Sequence, residues 1–137
     1  MKSQRKGVVI VAMLVVLIAG FVAPAAAADV NVVSLAASQF DSGFFIALVT
    51  ATSATQLIDA QLVVNSTPVS GATVEAFAID LPGSVDATIF KITTTVKTVK
   101  PGDTLTAIVT DVNANHGART AVCGRGISRF GITTICR

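Results

Sequence analysis

The chain has 137 residues, of which 52% are hydrophobic and 13% are charged, with no Trp, no Tyr and a single His. This composition excludes a disordered chain or a highly charged binding tail, and the length suits one small domain. From residue 29 onward, seven basic and eight acidic residues give a net charge of −1. A nucleic-acid-binding domain usually carries a basic excess and stacking aromatic residues, so we expect no nucleic-acid partner.

Residues 1–28 have the three zones of a secretory signal peptide: a basic start, an apolar run and a small-residue end. The residues that define these zones are Lys2, Arg5 and Lys6, then the apolar run 8–22, then Pro24 and Ala26-Ala27-Ala28. The pattern predicts a cleaved signal helix over 1–28 and a single β-sandwich domain over 29–137. We therefore expect a secreted or extracellular protein, with the periplasm and the cell surface as possible destinations.

Two other interpretations of the leader remain open. The uncharged stretch 7–28 could almost span a bilayer as a retained anchor, which is the one route by which we expect membrane contact. Arg5-Lys6-Gly7 before an apolar run also resembles a type IV prepilin leader. That family's early acidic residue is missing, since Ala12 stands there, and Pro24 would break the long helix.

After the leader, apolar residues recur with a period of two, which is typical of strands with one buried face. Turn residues separate the runs, and no helix is predicted. The predicted strands cover about 30–37, 44–52, 57–65, 72–80, 87–99, 104–112, 118–123 and 130–136. Seven to eight short strands at this spacing predict an all-β, antiparallel two-layer sandwich.

The alternation also predicts which side chains face the core. The predicted inward sets are Ile58, Ala60, Leu62 and Val64, then Phe90, Ile92 and Val96, then Leu105, Ala107 and Val109. The segment 44–51 is apolar on both faces, which indicates a central strand covered on both sides. Lys100-Pro101-Gly102-Asp103 fits a type II turn.

Two stretches carry a resemblance to a known family. Residues 67–74, with the sequence TPVSGATV, and residues 100–105, followed by Val109-Thr110-Asp111, resemble turns of immunoglobulin-like domains in microbial surface proteins. The resemblance covers residues 57–122, and it lacks the Cys…Trp…Cys core of antibody domains. It implies an immunoglobulin-like sandwich in an extracellular setting, and it implies no site residues.

Cys123 and Cys136 are the two cysteines, and twelve residues separate them. In an oxidising compartment they can form a disulfide across a hairpin-sized loop. Strict alternation puts Cys123 on the same face as Arg119, so we expect a bulge or a bridge at the surface. Two free thiols are the alternative; a metal or redox pair would need further ligands or a CxxC spacing.

No arrangement of residues predicts catalysis, a metal or another cofactor. Asp111, Asn113 and Asn115 alternate as oxygen donors do in calcium loops. An EF-hand, however, needs Gly and Glu where this chain has His116 and Val122, and a turn rich in Asn and Gly is the alternative. His116 has no nucleophile or second ligand in a recognisable motif, so we expect no enzyme.

The charges are segregated along the chain. Residues 29–90 hold six acidic residues and no Lys or Arg, whereas residues 91–137 carry a net charge of +5. These charges either pair within one domain or give acidic and basic surfaces that stack head to tail, with salt-dependent association.

The segment 30–37 has no charge and no Pro, the features that usually protect a sheet edge. It could leave its own domain and pair with a neighbouring molecule as a donor strand, or it could pair within its own sheet. The residues that would fill the neighbour's pockets are Val30, Val32, Val33 and Leu35.

Together these features predict a structural or assembly subunit of the cell surface, with itself or another surface protein as partner. The alternative is an extracellular module that binds a glycan or protein through loops 113–117 and 124–129. Asn65-Ser66-Thr67 is a glycosylation sequon whose use the sequence leaves open.

Overall fold

The computed structural model describes residues 30–80, 86–127, 129 and 131–137. The signal sequence expected over 1–28 lies outside the described residues. Within them the fold is all-β, with no helix. The nine strands are β1 (Asn31–Phe40), β2 (Phe45–Ser53), β3 (Leu57–Val64), β4 (Thr67–Pro68), β5 (Thr73–Asp80), β6 (Asp86–Thr94), β7 (Thr104–Asp111), β8 (His116–Arg125) and β9 (Ile132–Cys136).

The strands form one antiparallel sheet in the order β4-β3-β7-β8-β9-β1-β2-β6-β5. The sheet curls, because β2 also contacts β3 and β7, which are far from it in the strand order. The predicted antiparallel all-β class is confirmed. The eight predicted strands correspond to β1–β3 and β5–β9, and β4 is an addition of two residues. The immunoglobulin-like sandwich stays a prediction.

One buried cluster occupies the inside of the curl, and it draws on strands from both halves of the sheet. Phe45 and Phe90 are its two largest side chains, at 0% and 1% exposure. The predicted inward sets hold on β6 at Phe90 and Ile92, and on β7 at Leu105, Ala107 and Val109. Each fully buried side chain of this size contributes about 1.5–3 kcal/mol of transfer free energy.

The predicted alternation is wrong at two positions. The pairing of β3 with β7 shifts register between Leu57 and Asp59, so Leu57 is buried and Ile58 is exposed. Strand β6 ends at Thr94, and Val96 is exposed in the segment that follows. In both cases a local break in the pairing moves an apolar residue from the expected buried face.

The side chain of Gln39 fixes the position of the segment that follows β6. Its side chain is 1% exposed, and its Oε1 accepts a hydrogen bond of 2.7 Å from the Thr98 amide. Its Nε2 donates to the Phe44 carbonyl at 3.1 Å. One buried amide thus holds the segment after β6 against the β1–β2 hairpin.

The outer face of β2 is not covered. The strand does lie between β1 and β6 in the sheet, as expected of a central strand. Phe45, Ala47 and Val49 face the core, whereas Leu48 on the opposite face is 45% exposed. The prediction that segment 44–51 is covered on both faces is therefore wrong, because the curled sheet encloses only its inner face.

The Cys123–Cys136 disulfide is confirmed. The two residues are direct cross-strand partners on β8 and β9, with Cα atoms 3.9 Å apart. Both are buried, and their pairing is regular, so the expected bulge or surface bridge is wrong. On the inner face of β8, Ala121 and Cys123 are buried whereas Arg119 is exposed. The same face of this strand therefore carries both buried and exposed residues.

Candidate functional site

Strand β1 lies between β9 and β2 in the strand order, which corrects the expected open edge for its second half only, because residues 31–36 pair with β2 alone. It pairs with β2 along its length and with β9 from Ala37 to Phe40. Val32 and Leu35 are each 5% exposed and belong to the core. Val30 is half-buried against the same core, and Val33 is exposed where the register shifts. Donor-strand exchange by these four residues stays a prediction, and it would require β1 to leave the middle of the sheet.

The open edge of the sheet is β5. This strand pairs with β6 on one side, residue for residue from Thr73 to Asp80, and it stands last in the strand order. It contains no Pro, no Lys and no register shift. The side chains of residues 73–79 are all exposed, although Val74 lines a cleft with Leu62 at the start of the strand. An edge of this kind is a ready template for pairing with another strand.

At the other end of the sheet, β4 pairs with residues 63 and 64 of β3, while residues 57–61 of β3 pair with β7 alone. Strand β4 is only two residues long and contains Pro68, which has no amide hydrogen to donate. Residues 69–72 then carry the chain across to β5, beginning with a hydrogen bond of 2.9 Å from the Val69 amide to the Leu62 carbonyl. A cleft of about 110 Å³ lies at this crossing, with Leu62 on one side and Val74 on the other.

The second half of the outward face of β5 is apolar. Phe77 is 51% exposed and lies opposite Ile89 of β6, while Ile79 lies opposite Ala87. We call Phe77, Ile79 and Ile89, together with Leu48 on β2, the outer patch. Glu75 lies opposite Lys91, with 3.7 Å between its Oε1 and the lysine Nζ. The charge of Glu75 is therefore already paired within the sheet.

The turn proposed as a calcium site has a different geometry. The Asp111 carboxylate is buried and accepts hydrogen bonds from the Thr55 hydroxyl at 2.5 Å and from the amides of Asn113 and Asn115, each at 2.8 Å. These donors occupy the oxygens that would face a cation. The residue with positive φ in the turn is Ala114, at 66°, and not an Asn. The geometry is that of a turn closed by its own aspartate.

Hydrogen bonds lower the pKa of Asp111. Burial opposes ionisation of this carboxyl, but the bonds from Thr55, Asn115 and Asn113 outweigh it and hold the pKa below its ordinary value. At the opposite end of β7, the Lys100 amide and then the Asn65 side chain lower the pKa of Asp103. Both ends of β7 are thus held by an ionised aspartate.

Asn65 has a structural role in the folded chain. Its Nδ2 donates to Asp103 Oδ1 at 2.9 Å, and its Oδ1 accepts from the Thr104 amide at 2.9 Å. A glycan would be attached at that same Nδ2, so the sequon nitrogen is already engaged. The predicted type II turn before β7 is confirmed, with Gly102 at φ 96° and a bond of 3.1 Å from the Asp103 amide to the Lys100 carbonyl.

The two loops expected to form a binding site lie apart. Residues 113–117 lead into β8 and residues 124–129 leave it, so they stand at opposite ends of a ten-residue strand. At about 3.3 Å per residue, the strand separates them by roughly 30 Å. In the second loop Ile127 is 93% exposed. The loops therefore do not combine into one recognition surface.

In the part of the chain that the structure describes, neither a metal-binding cluster nor a membrane-spanning helix is seen. No three His, Cys, Asp or Glu residues there are grouped so that they could hold a metal ion. The same residues include no helix that is long and apolar enough to cross a membrane. The Glu75–Lys91 contact is the ion pair observed between described side chains, so pairing of the two charge blocks within the domain is seen at that point.

Comparison with protein families, with curated proteins and with solved structures finds no match to this chain. The candidate site therefore depends on its own geometry. The sequence predicted β5 as a strand but not as the open edge, because alternation identifies strands but not their order in the sheet. The available signal was a strand without Pro or Lys and with apolar residues on both faces.

Proposed function

We propose that the protein is an exported structural subunit of the cell surface that assembles with copies of itself. The observation that carries this proposal is the open edge of β5, an eight-residue strand with exposed Phe77 and Ile79 on its outward face. Monomeric domains usually protect such an edge with Lys, Pro, a bulge or a covering segment. Within the described residues β5 has no Lys, Pro, bulge or covering segment; charge also protects edges, but of its two acidic residues Glu75 is paired with Lys91 and Asp80 stands at the end of the strand.

The disulfide supports the extracellular part of the proposal. Cys123 and Cys136 are joined and buried, and disulfides form and persist mainly in oxidising compartments. The signal-like residues 1–28 point to the same compartment. An immunoglobulin-like sandwich would suit this role, since such domains present their edges and loops on a rigid frame.

A binding module that uses its loops has weaker support. The two loops lie at opposite ends of β8, and the aspartate-closed turn before β8 uses its own polar groups internally. Assembly through a sheet edge, by contrast, uses main-chain groups that have no partner within the described sheet. We therefore favour the structural role.

The test uses the protein in the form that a secreting cell releases, hereafter the released protein. Mass spectrometry is expected to find its N-terminus at Asp29 or Ala28. Sedimentation velocity over a concentration series is expected to show species larger than one chain, growing with concentration. Recovery of the intact leader in a membrane would contradict export, and a monomer at every concentration would contradict assembly.

A further inference from the structure

We propose that β5 pairs antiparallel with β5 of a second copy about a two-fold axis at Phe77. The proposal rests on the proposed self-assembly, and it names the strand, the register and the symmetry of the contact. A two-fold contact uses the same surface on both molecules, so the strand must be complementary to itself. The exposed residues of β5 meet that requirement in one register better than in its neighbours.

The axis at Phe77 sets every pair in the contact. Phe77 opposes Phe77 of the second copy, Ala76 opposes Ala78, and Glu75 opposes Ile79. Val74 opposes Asp80, the last residue of the strand. Seven residues of each copy pair, no like charges stand opposite each other, and the two aromatic rings become direct cross-strand neighbours. Aromatic cross-strand pairs stabilise antiparallel sheets, whereas directly opposed like charges destabilise them.

Neighbouring registers are less favourable. Moving the axis to Glu75 places two carboxylates opposite each other. Moving it to Ala78 leaves only five pairs within Thr73–Asp80, and moving it to Ala76 opposes Glu75 with the Phe77 ring. The register at Phe77 combines seven paired residues in each copy with a direct aromatic pair and no opposed carboxylates.

Charge favours a second copy over an acidic or strongly basic partner. Glu75 is held 3.7 Å from Lys91 on β6, so the middle of the β5 edge carries no unpaired charge. The contact would join the outer patches of the two copies, because Phe77 and Ile79 point to the same face as Ile89 and Leu48. Main-chain hydrogen bonds would supply orientation, and the joined patches would exclude water.

The first experiment compares matched lysine variants of the released protein by sedimentation equilibrium. Phe77→Lys places two ammonium groups together at the axis, and its exposed site leaves the core untouched. Val122→Lys is the control, because Val122 is also an exposed apolar residue, at 65% exposure on β8. We expect Phe77→Lys to raise the dimer dissociation constant at least about tenfold, and Val122→Lys to leave it unchanged.

A cross-link tests the register. Directly opposed Cβ atoms lie about 4.5–5.5 Å apart, whereas diagonal neighbours lie about 7–8 Å apart. Phe77→Cys should therefore give a covalent dimer under mild oxidation. Ala78→Cys, one residue further on and on the other face, should not, because it opposes Ala76.

Salt distinguishes this contact from head-to-tail stacking of acidic and basic surfaces. The β5 contact should weaken little when the salt concentration rises to about 1 M, where the Debye length falls to about 3 Å. A loss of association over that range would identify the charge-driven contact instead.

The outcomes separate this inference from the proposed function. Association that persists in Phe77→Lys, or a cross-link at Ala78 without one at Phe77, would overturn the β5 contact or its register and leave self-assembly standing. An unmodified protein that stays monomeric at all concentrations would overturn both.

Discussion

At the scale of single residues, two aspartates hold the ends of β7. Asp103 accepts hydrogen bonds from the Lys100 amide and Asn65, and Asp111 accepts from Thr55 and the turn that follows. Each carboxylate closes a connection at one end of the same buried strand. Removal of either charge should therefore loosen a connection without disturbing the core.

We predict that Asp111→Asn lowers the free energy of unfolding by about 2 kcal/mol, the value typical of a hydrogen bond to a charged group. The substitution replaces one accepting oxygen by a donor that faces the donors already present. Asp59→Asn is the control, because Asp59 is exposed on β3. Urea unfolding measures both variants, and equal stabilities would contradict the role assigned to Asp111.

Stability should also fall on acidification. The pKa values of Asp103 and Asp111 lie below the ordinary value of 3.8 in the folded chain. A lowered carboxyl pKa gives stability that is present above the unfolded pKa and is lost as the pH falls below it, toward the folded value. The urea concentration at the unfolding midpoint should therefore decrease as the pH falls below about 4. The decrease should be smaller in Asp111→Asn than in the unmodified protein. A midpoint that rises or stays constant between pH 5 and the acid limit would contradict this.

Residue-level prediction from sequence worked where strands pair regularly. Leu105, Ala107 and Val109 are buried as the alternation requires. It was wrong at Ile58, because a register shift leaves no mark in the order of polar and apolar residues. Gln39 could not be found, since its partners lie 59 and 60 residues away in the chain.

At the scale of elements, the start of β1 lies tightly against β8. A Cβ added to Gly117 would meet the carbonyl oxygen of Val30, which is main chain and cannot move aside as a side chain would. Gly124 lies on the same strand, and a Cβ there would meet no atom within 4 Å. The two glycines of β8 thus form a matched pair.

We predict that Gly117→Ala costs about 1–3 kcal/mol of stability, because the strands must separate to admit the methyl group. Gly124→Ala should change stability by less than about 0.5 kcal/mol, as expected for an open surface position. Thermal unfolding of the two variants side by side checks the contact. A loss of stability in Gly124→Ala as large as in Gly117→Ala would argue against it.

The disulfide joins β8 to β9, the strand that closes the sheet onto β1. Replacing both Cys123 and Cys136 by Ala should lower the free energy of unfolding by about 3 kcal/mol, because the unfolded chain loses the closed loop. Urea unfolding of the variant, and of the unmodified protein with and without reductant, measures the effect. A variant as stable as the oxidised protein would contradict it.

Elements were largely predictable, and their arrangement was not. Turn residues such as Pro101-Gly102 located the strand boundaries to within a few residues. Which strand stands at the edge depends on pairings between distant segments. The sequence therefore pointed to segment 30–37, whereas the structure places β5 at the edge. The short strand β4 was not predicted, because two paired residues give no periodic pattern.

At the scale of the whole molecule, one curled sheet ends in two unlike edges. The β4 edge is short and carries Pro68, while the β5 edge is long and regular. A two-fold contact through the β5 edge alone forms a closed pair, and longer assemblies would need a second contact. The −6 and +5 charge blocks of the sequence offer such a contact, and high salt would remove it without affecting the β5 pair.

The most direct test of this account is hydrogen–deuterium exchange of the released protein, measured below and above the concentration at which it associates. The account predicts slower amide exchange within Thr73–Asp80 in the associated protein, with the interior strand β1 unchanged. Association without added protection of β5, or with protection confined to other strands, would contradict it.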